Sequence, residues 1–458
     1  MKRLLKRFLA VKLALLPGSA SAHVAEQGFV LLLPTEAYST AGVAVVALTV
    51  LVLFAVPANV IKSLFQARRF RMPAFPIIRT ITSLLALILL AGILYVGVHG
   101  PRDPLSNLMP LVFWTLGWIG LVSLAGLLGD LWRWINPWTG LYRLLGEVRP
   151  LIRLPPWLGV WPATCLLIAF SAFLLADIAP DDPARLAYFV GVYWFLTMVG
   201  LVLCGPVWLR QVELGSVIFS LYARLAPSRL RENGGVGGPG WRLLEPPPIA
   251  AGGLFALTLL AVGSFDGVNE TFWWLAKIGI NPLAFPGRSA VVWPTILGLV
   301  GSIILLIAVF AVTVWLGLTL ARSDAAFSAA FARLAQSLLP IALAYHIAHY
   351  LTAFLVNSQY ALAAISDPLA TGADLLGIEP FFVTTGFFNH IDSVRVIWLT
   401  QAGAVVIGHV WSVLLAHRMA LDLFADARRA ALATLPLSLF MIAYTMLGLW
   451  LLATPRGA

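Results

Sequence analysis

Apolar runs of about 20 residues, separated by short polar stretches, recur along almost the whole 458-residue chain. Each is long enough to cross roughly 30 Å of hydrocarbon as an α-helix. The pattern predicts helices at 40–62, 78–98, 109–132, 157–177, 187–206, 248–265, 292–321, 337–357, 394–416 and 431–453. The expected fold class is all-α, a polytopic transmembrane helix bundle of about ten spans.

The polar stretches orient this bundle. The start, Met1-Lys2-Arg3 through Lys12, is basic and leads through Leu13–Leu16 to Gly18-Ser19-Ala20-Ser21-Ala22. That small-residue run predicts a signal peptide over 1–22, cleaved after Ala22 so that His23 begins the mature chain; the competing reading is an uncleaved amphipathic start. Alternate loops carry Lys62, Arg68, Arg69 and Arg71, then Arg133, Arg143, Arg149 and Arg153, then Arg210, Arg224, Arg229, Arg231 and Arg242, then Arg322 and Arg333, then Arg418, Arg428 and Arg429. The positive-inside rule makes these loops cytoplasmic and both mature termini external, as in a bacterial inner-membrane protein. The Gly/Pro-rich stretch 233–248 predicts a cytoplasmic linker between a first five-span half, 23–232, and a second, 249–458. An odd number of spans per half permits inverted halves, although no residue-level repeat accompanies it. Before the linker, Gln211 to Leu225 mixes apolar and basic residues in a way that suits the cytoplasmic surface.

Composition agrees with lipid as the solvent: 60% of residues are hydrophobic, 11% are charged and the mean hydropathy is +0.91. The net charge of +10 sits in the short loops that topology requires, so it does not indicate a nucleic-acid partner. Cys165 and Cys204 fall inside apolar segments without metal-type spacing. A phosphate-binding Gly-rich loop, a Cys-x-x-Cys pair and a serine nucleophile elbow are all missing. Trp132, Trp134, Trp138, Trp157, Trp208, Trp273, Trp274 and Trp293 lie near predicted helix ends, as an interfacial aromatic belt does. Asp130 beside Arg133 reads as an ion pair at the end of the third span.

Ionisable groups inside a bilayer are costly and normally face a cavity, a partner or an ion, so the histidines carry most information. His346 and His349, in Tyr345-His-Ile-Ala-His-Tyr350, share nearly one face of the eighth span, and His409 lies within the ninth with His417 beyond it. Together His346, His349 and His409 form a candidate site for a divalent transition metal, zinc or copper; the competing reading is hydrogen bonding between helices. Measured from the predicted outer boundaries, His349 lies about 12 Å deep, His346 about 16 Å and His409 about 22 Å, so a joint site requires tilt or shifted boundaries.

A second set is predicted on the outer side: His23, His99 with Asp103, Asp266 in Phe265-Asp-Gly267, Asp367, Asp374, and His390 with Asp392. Carboxylates and imidazoles together suit metal-assisted hydrolysis, with Asp266 and Asp374 as catalytic candidates and His390 and His23 as further metal ligands. An Asp beside Gly or Pro is also an ordinary turn former, which is the alternative for Asp103, Asp266 and Asp367.

These residues also carry a resemblance. Ala22-His23, Gly100-Pro-Arg-Asp-Pro-Leu-Ser-Asn-Leu-Met-Pro110, Gly129-Asp-Leu-Trp-Arg-Trp-Ile-Asn-Pro-Trp138, Phe265-Asp-Gly267, Tyr345-His-Ile-Ala-His-Tyr350, Ser366-Asp-Pro368 and Gly408-His409 with His417 are similar to segments of bacterial integral membrane proteins known as fenitrothion hydrolases. The resemblance implies hydrolysis of organophosphate triesters with a bound metal, and a lipophilic small-molecule substrate reached from the bilayer. It transfers no catalytic residues. Two other readings fit the histidines: handling or transport of a transition metal such as copper, and haem ligation by His346 and His409.

Overall fold

The computed structural model describes residues 30–146, 149–245, 252–284, 287–378, 380–424 and 426–455. The expected signal peptide, its cleavage point and His23 lie outside the described residues, as do linker residues 246–248. Among the described residues ten helices are long and apolar enough to cross a membrane. They are α1 (Thr35–Leu53), α2 (Pro76–His99), α3 (Leu108–Leu128), α4 (Pro156–Ala176), α5 (Pro183–Cys204), α6 (Gly252–Asn269), α7 (Arg288–Leu320), α8 (Phe327–Ser366), α9 (Ile391–Leu423) and α10 (Ala427–Ala453). The all-α polytopic bundle expected from the apolar pattern is the observed fold.

Boundaries depart from expectation where local chemistry intervenes. The first span ends at Leu53 instead of running to 62, and a separate short helix, Ala58–Leu64, follows Pro57. Proline has no N–H to donate, and its ring crowds the carbonyl four residues earlier, so a continuous helix is blocked there. Conversely, α8 continues to Ser366, with Gln359 donating to the Thr384 carbonyl at 3.0 Å, and α9 continues to Leu423. Helix α6 continues past Phe265 to Asn269, which brings Asp266 inside it. The middle of α3, Leu111–Leu121, is wound as a π-helix, a wider turn that leaves backbone carbonyls less regularly paired.

Helix α6 is the hub: 72% of its apolar window is buried against protein, compared with 17% for α2. It packs on α4, α7 and α8, and α8 in turn packs on α3 and α9. Helix α1 packs on α9 and α10, so the two five-span halves interleave. Large apolar side chains such as Ile77, Ile88, Leu297 and Ile304 remain exposed on the outer helices, the surface that a lipid solvent covers. Trp157, Trp273 and Trp293 are exposed as belt residues are, whereas Trp138 is core, donating its indole N–H to the Trp194 carbonyl at 2.9 Å.

All the arginine-rich connections gather on one face. Strand β1 (Ala67–Arg71), after α1, pairs antiparallel with β3 (Asn233–Gly237), after α5, and β3 also pairs with β2 (Ser228–Arg229), giving the order β1-β3-β2. Part of the expected linker is therefore strand. Arg133 donates to the Leu230 carbonyl at 3.3 Å, and Arg333 to the Leu243 and Leu244 carbonyls at 3.0 and 2.6 Å. These contacts tie the α3–α4 connection and the first turns of α8 to the α5–α6 connection.

Candidate functional site

The bundle's polar centre is built on α6 and α8. Asp266, 6% exposed, is reached by His349 through Nε2 at 3.2 Å from Oδ2, and the Tyr350 hydroxyl donates to the same oxygen. A carboxylate buried in a bilayer-spanning helix is tolerated when such donors satisfy it. Measured along the helices, this cluster lies about 15–21 Å from the arginine-rich ends of α6 and of the Leu339–Ser366 helix, near the middle of a hydrocarbon layer about 30 Å thick.

Aromatic rings wall the cluster. The Tyr345 ring stacks on His349 with centroids 5.6 Å apart, Tyr350 meets His349 edge-on at 4.7 Å, and Trp118 meets His346 edge-on at 5.2 Å. Gly267 lets the Tyr345 hydroxyl lie against α6, since a Cβ there would stand 1.9 Å from that oxygen. Gln401 of α9 donates to the Ala348 carbonyl at 2.9 Å, bracing α8 beside His349.

Hydrogen bonds fix the state of each histidine. His346 Nε2 lies 3.0 Å from the Trp118 carbonyl, in the π-helical part of α3, and His409 Nδ1 lies 2.8 Å from the Val405 carbonyl. A carbonyl only accepts, so those ring nitrogens carry the protons. His409 Nε2 is then a buried acceptor without a hydrogen-bond partner, and His349 Nδ1 is another.

The sequence-predicted metal triad does not assemble. Gln401 bonds the backbone of Ala348 and Ser412 bonds the Ser337 carbonyl at 2.6 Å, so α8 and α9 run antiparallel in a fixed register. Stepping from Gln401 to His409 corresponds to stepping back from Ala348 to Pro340, and a Cβ at Gly408 would indeed stand 2.8 Å from the Pro340 carbonyl. His409 is therefore about 9 Å along α8 from His346 and about 13 Å from His349. Among the described residues no three His, Cys, Asp or Glu side chains form a group that could hold a metal ion. The same offset keeps His346 and His409 from facing each other as two axial haem ligands. The residues present thus do not fit a preassembled three-ligand centre or a bis-histidine haem.

The outer set separates too. Asp374 accepts from Ser366 Oγ at 3.0 Å and from the Ile378 N–H at 2.9 Å; Ser366 lies about 24 Å along α8 from Tyr350. Asp266 and Asp374 therefore do not share a site. Asp103 accepts from Leu105 N–H and Ser106 Oγ, and Asp367 from the Thr371 and Gly372 N–H groups, as turn formers do. His390 is the exposed residue before α9, His99 stacks on Tyr95, and Asp392 pairs with Arg395. Asp266, expected at an outer turn, is instead the buried centre, and Tyr350 and Trp118 join it without having been singled out from sequence. Tyr350 was the most recoverable of these, being adjacent to His349 in a six-residue stretch with four polar or aromatic residues inside an apolar span.

Comparison of the chain with protein-family profiles, curated proteins and solved structures finds no match.

Proposed function

We propose that this membrane-embedded helical protein is a hydrolase of lipophilic neutral esters, with organophosphate triesters as the substrate class implied by its sequence resemblance, and that Asp266 and His349 are its base dyad. The observation that carries this reading is the buried carboxylate holding one nitrogen of His349 while the other stays an unpartnered acceptor. This is the orienter–base arrangement of nucleophilic and general-base catalysis. The Tyr350 hydroxyl donates to Asp266, and Asp266 orients the His349 ring through Nε2.

In the proposed step His349 Nδ1 takes a proton from water as the water oxygen bonds to phosphorus. The bond from phosphorus to the aryl oxygen breaks, and the proton on Nδ1 leaves with the aryloxide as a phenol. The diester acid is the second product, and the histidine returns to its neutral state. A neutral triester partitions into the bilayer and can reach the dyad laterally between helices. No step is drawn through a metal, since the residues do not converge on one. The arginine-rich face is assigned to the cytoplasm on the positive-inside rule.

The test is nitrophenol release from a nitrophenyl triester by the purified full-length protein. Asp266→Asn and His349→Gln are each expected to lower kcat about 100-fold or more, the size of a general-base contribution. Undiminished turnover in both variants overturns the dyad, and no turnover by the wild type overturns the hydrolase.

One observation favours transport as a second reading: His349, His409 and His417 are staggered along α8 and α9 toward the arginine-rich face, with His409 Nε2 unpartnered. Copper or proton uptake by proteoliposomes, lost in His409→Gln and unaccompanied by ester turnover, would establish it.

A further inference from the structure

On the arginine-rich face a cleft opens between the end of α3, the Trp132–Ile135 helix and β2. It is lined by Leu128, Asp130, Arg133, Arg229, Leu230, Arg231 and Arg242, among others, and is a small, partly open cleft of about 30 Å³. Four guanidiniums thus face one carboxylate. Asp130 is already engaged, by Arg231 and by the Arg133 N–H at 3.2 Å. Glu245 reaches Arg229 from outside the cleft at 3.4 Å and is shared with Arg69 at 3.3 Å.

Arg242 is the decisive residue. It is 8% exposed, its Nη1 donates to the Ala223 carbonyl at 2.8 Å, and its buried Nε has no hydrogen-bond partner. Arg229 Nε is likewise buried and unpartnered. A buried N–H on a cation left without an acceptor is costly, and two of them stand on residues lining this one cleft. Burial first, and then the charges of Arg231, Arg229 and Arg224, pull the Arg242 guanidinium down to about 10, with Asp130 opposing them.

We infer that this cleft is a binding site for a phosphate group, held by Arg229 and Arg242 with Arg133 and Arg231 at its rim. Planar guanidiniums offering several donors suit phosphate oxygens. The phosphate has two sources, a soluble phosphorylated molecule or the headgroup of an anionic lipid. The exposed Leu128 and Leu230 on the cleft wall suit acyl chains as well as open water.

Full-length protein in neutral detergent is titrated with inorganic phosphate by isothermal calorimetry. In parallel, native mass spectrometry measures retention of phosphatidylglycerol against phosphatidylcholine. Expected is saturable binding of phosphate, or selective retention of phosphatidylglycerol, weakened about tenfold or more in Arg229→Gln and in Arg242→Gln and by added salt. Phosphate binding alone assigns a soluble ligand; phosphatidylglycerol retention alone assigns the lipid. Should Arg242→Gln not fold, Arg229→Gln and Arg133→Gln carry the test. Absence of both binding signals in wild type, or signals untouched in every folded variant, overturns the site.

Discussion

Tyr350 and Gly267 decide how the buried carboxylate behaves. With the Tyr350 hydroxyl removed, Asp266 Oδ2 keeps its His349 contact but loses its closest donor. Tyr350→Phe is therefore expected to retain the fold and to reduce triester turnover by a smaller factor than His349→Gln, measured side by side. Gly267→Ala introduces a methyl where the Tyr345 oxygen already stands. Overpacking of this kind costs about 1–3 kcal/mol, so its thermal midpoint should fall, and turnover with it as Tyr345 shifts against His349. Those residues were only partly legible in the sequence. The histidine pair was visible because imidazoles inside an apolar run are conspicuous. Asp266 was seen, but the predicted end of its helix at 265 placed it outside the core. Four more helical residues reverse its meaning from turn former to buried anion, and nothing in Phe265-Asp-Gly267 marks that continuation. The chain needs Gly267 for the close approach of Tyr345, a fact of packing that a glycine after an aspartate conceals.

At the scale of elements, register decides more than composition. The spacing of histidines on α8 and α9 suggested a shared ion, yet the bonds from Gln401 and Ser412 to the α8 backbone fix an offset that separates them. A Cβ at Gly408 would stand 2.4 Å from the Ala344 Cβ, so these helices meet at backbone distance. Gly408→Ala is expected to lower stability by about 1–3 kcal/mol, read as a loss of thermal midpoint in detergent. A second element depends on Glu213, 2% exposed, which caps the Leu214–Tyr222 helix by accepting from the Gly215 and Ser216 N–H groups at 2.8 and 2.5 Å and from the Tyr193 hydroxyl at 2.9 Å. Burial pushes its carboxyl up from the ordinary glutamate range, against the downward pull of those donors. An acid whose folded pKa is raised binds its proton more tightly in the folded chain than in the unfolded one. Its contribution to stability therefore falls as pH rises from the unfolded value through the folded value. Glu213→Gln should flatten that part of the stability–pH curve, measured by thermal unfolding across the acidic range.

For the whole molecule, the ten apolar runs announced the bundle, and the alternation of arginine announced that five connections share a face; contacts join the first four of them, and Arg333 also reaches Asp422 at the end of α9. Which helices touch was not legible, because an apolar run looks the same whether it faces lipid, as most of α2 does, or protein, as α6 does. The orientation has its own test. Cysteines introduced singly as Arg68→Cys and Asp103→Cys in intact cells are expected to differ, with only the latter labelled by an impermeant thiol reagent. Labelling of Arg68→Cys alone would reverse the assignment.

The small sheet on the arginine-rich face bears on how the molecule is made. Strand β1 follows α1 and the short Ala58–Leu64 helix, but its partner β3 follows only after four further spans. Chains emerge N-terminus first, so the strand partner of β1 is made only after α5. The sheet thus joins the connection after α1 to the connection that leads into α6, the most buried of the ten spans, across four intervening spans.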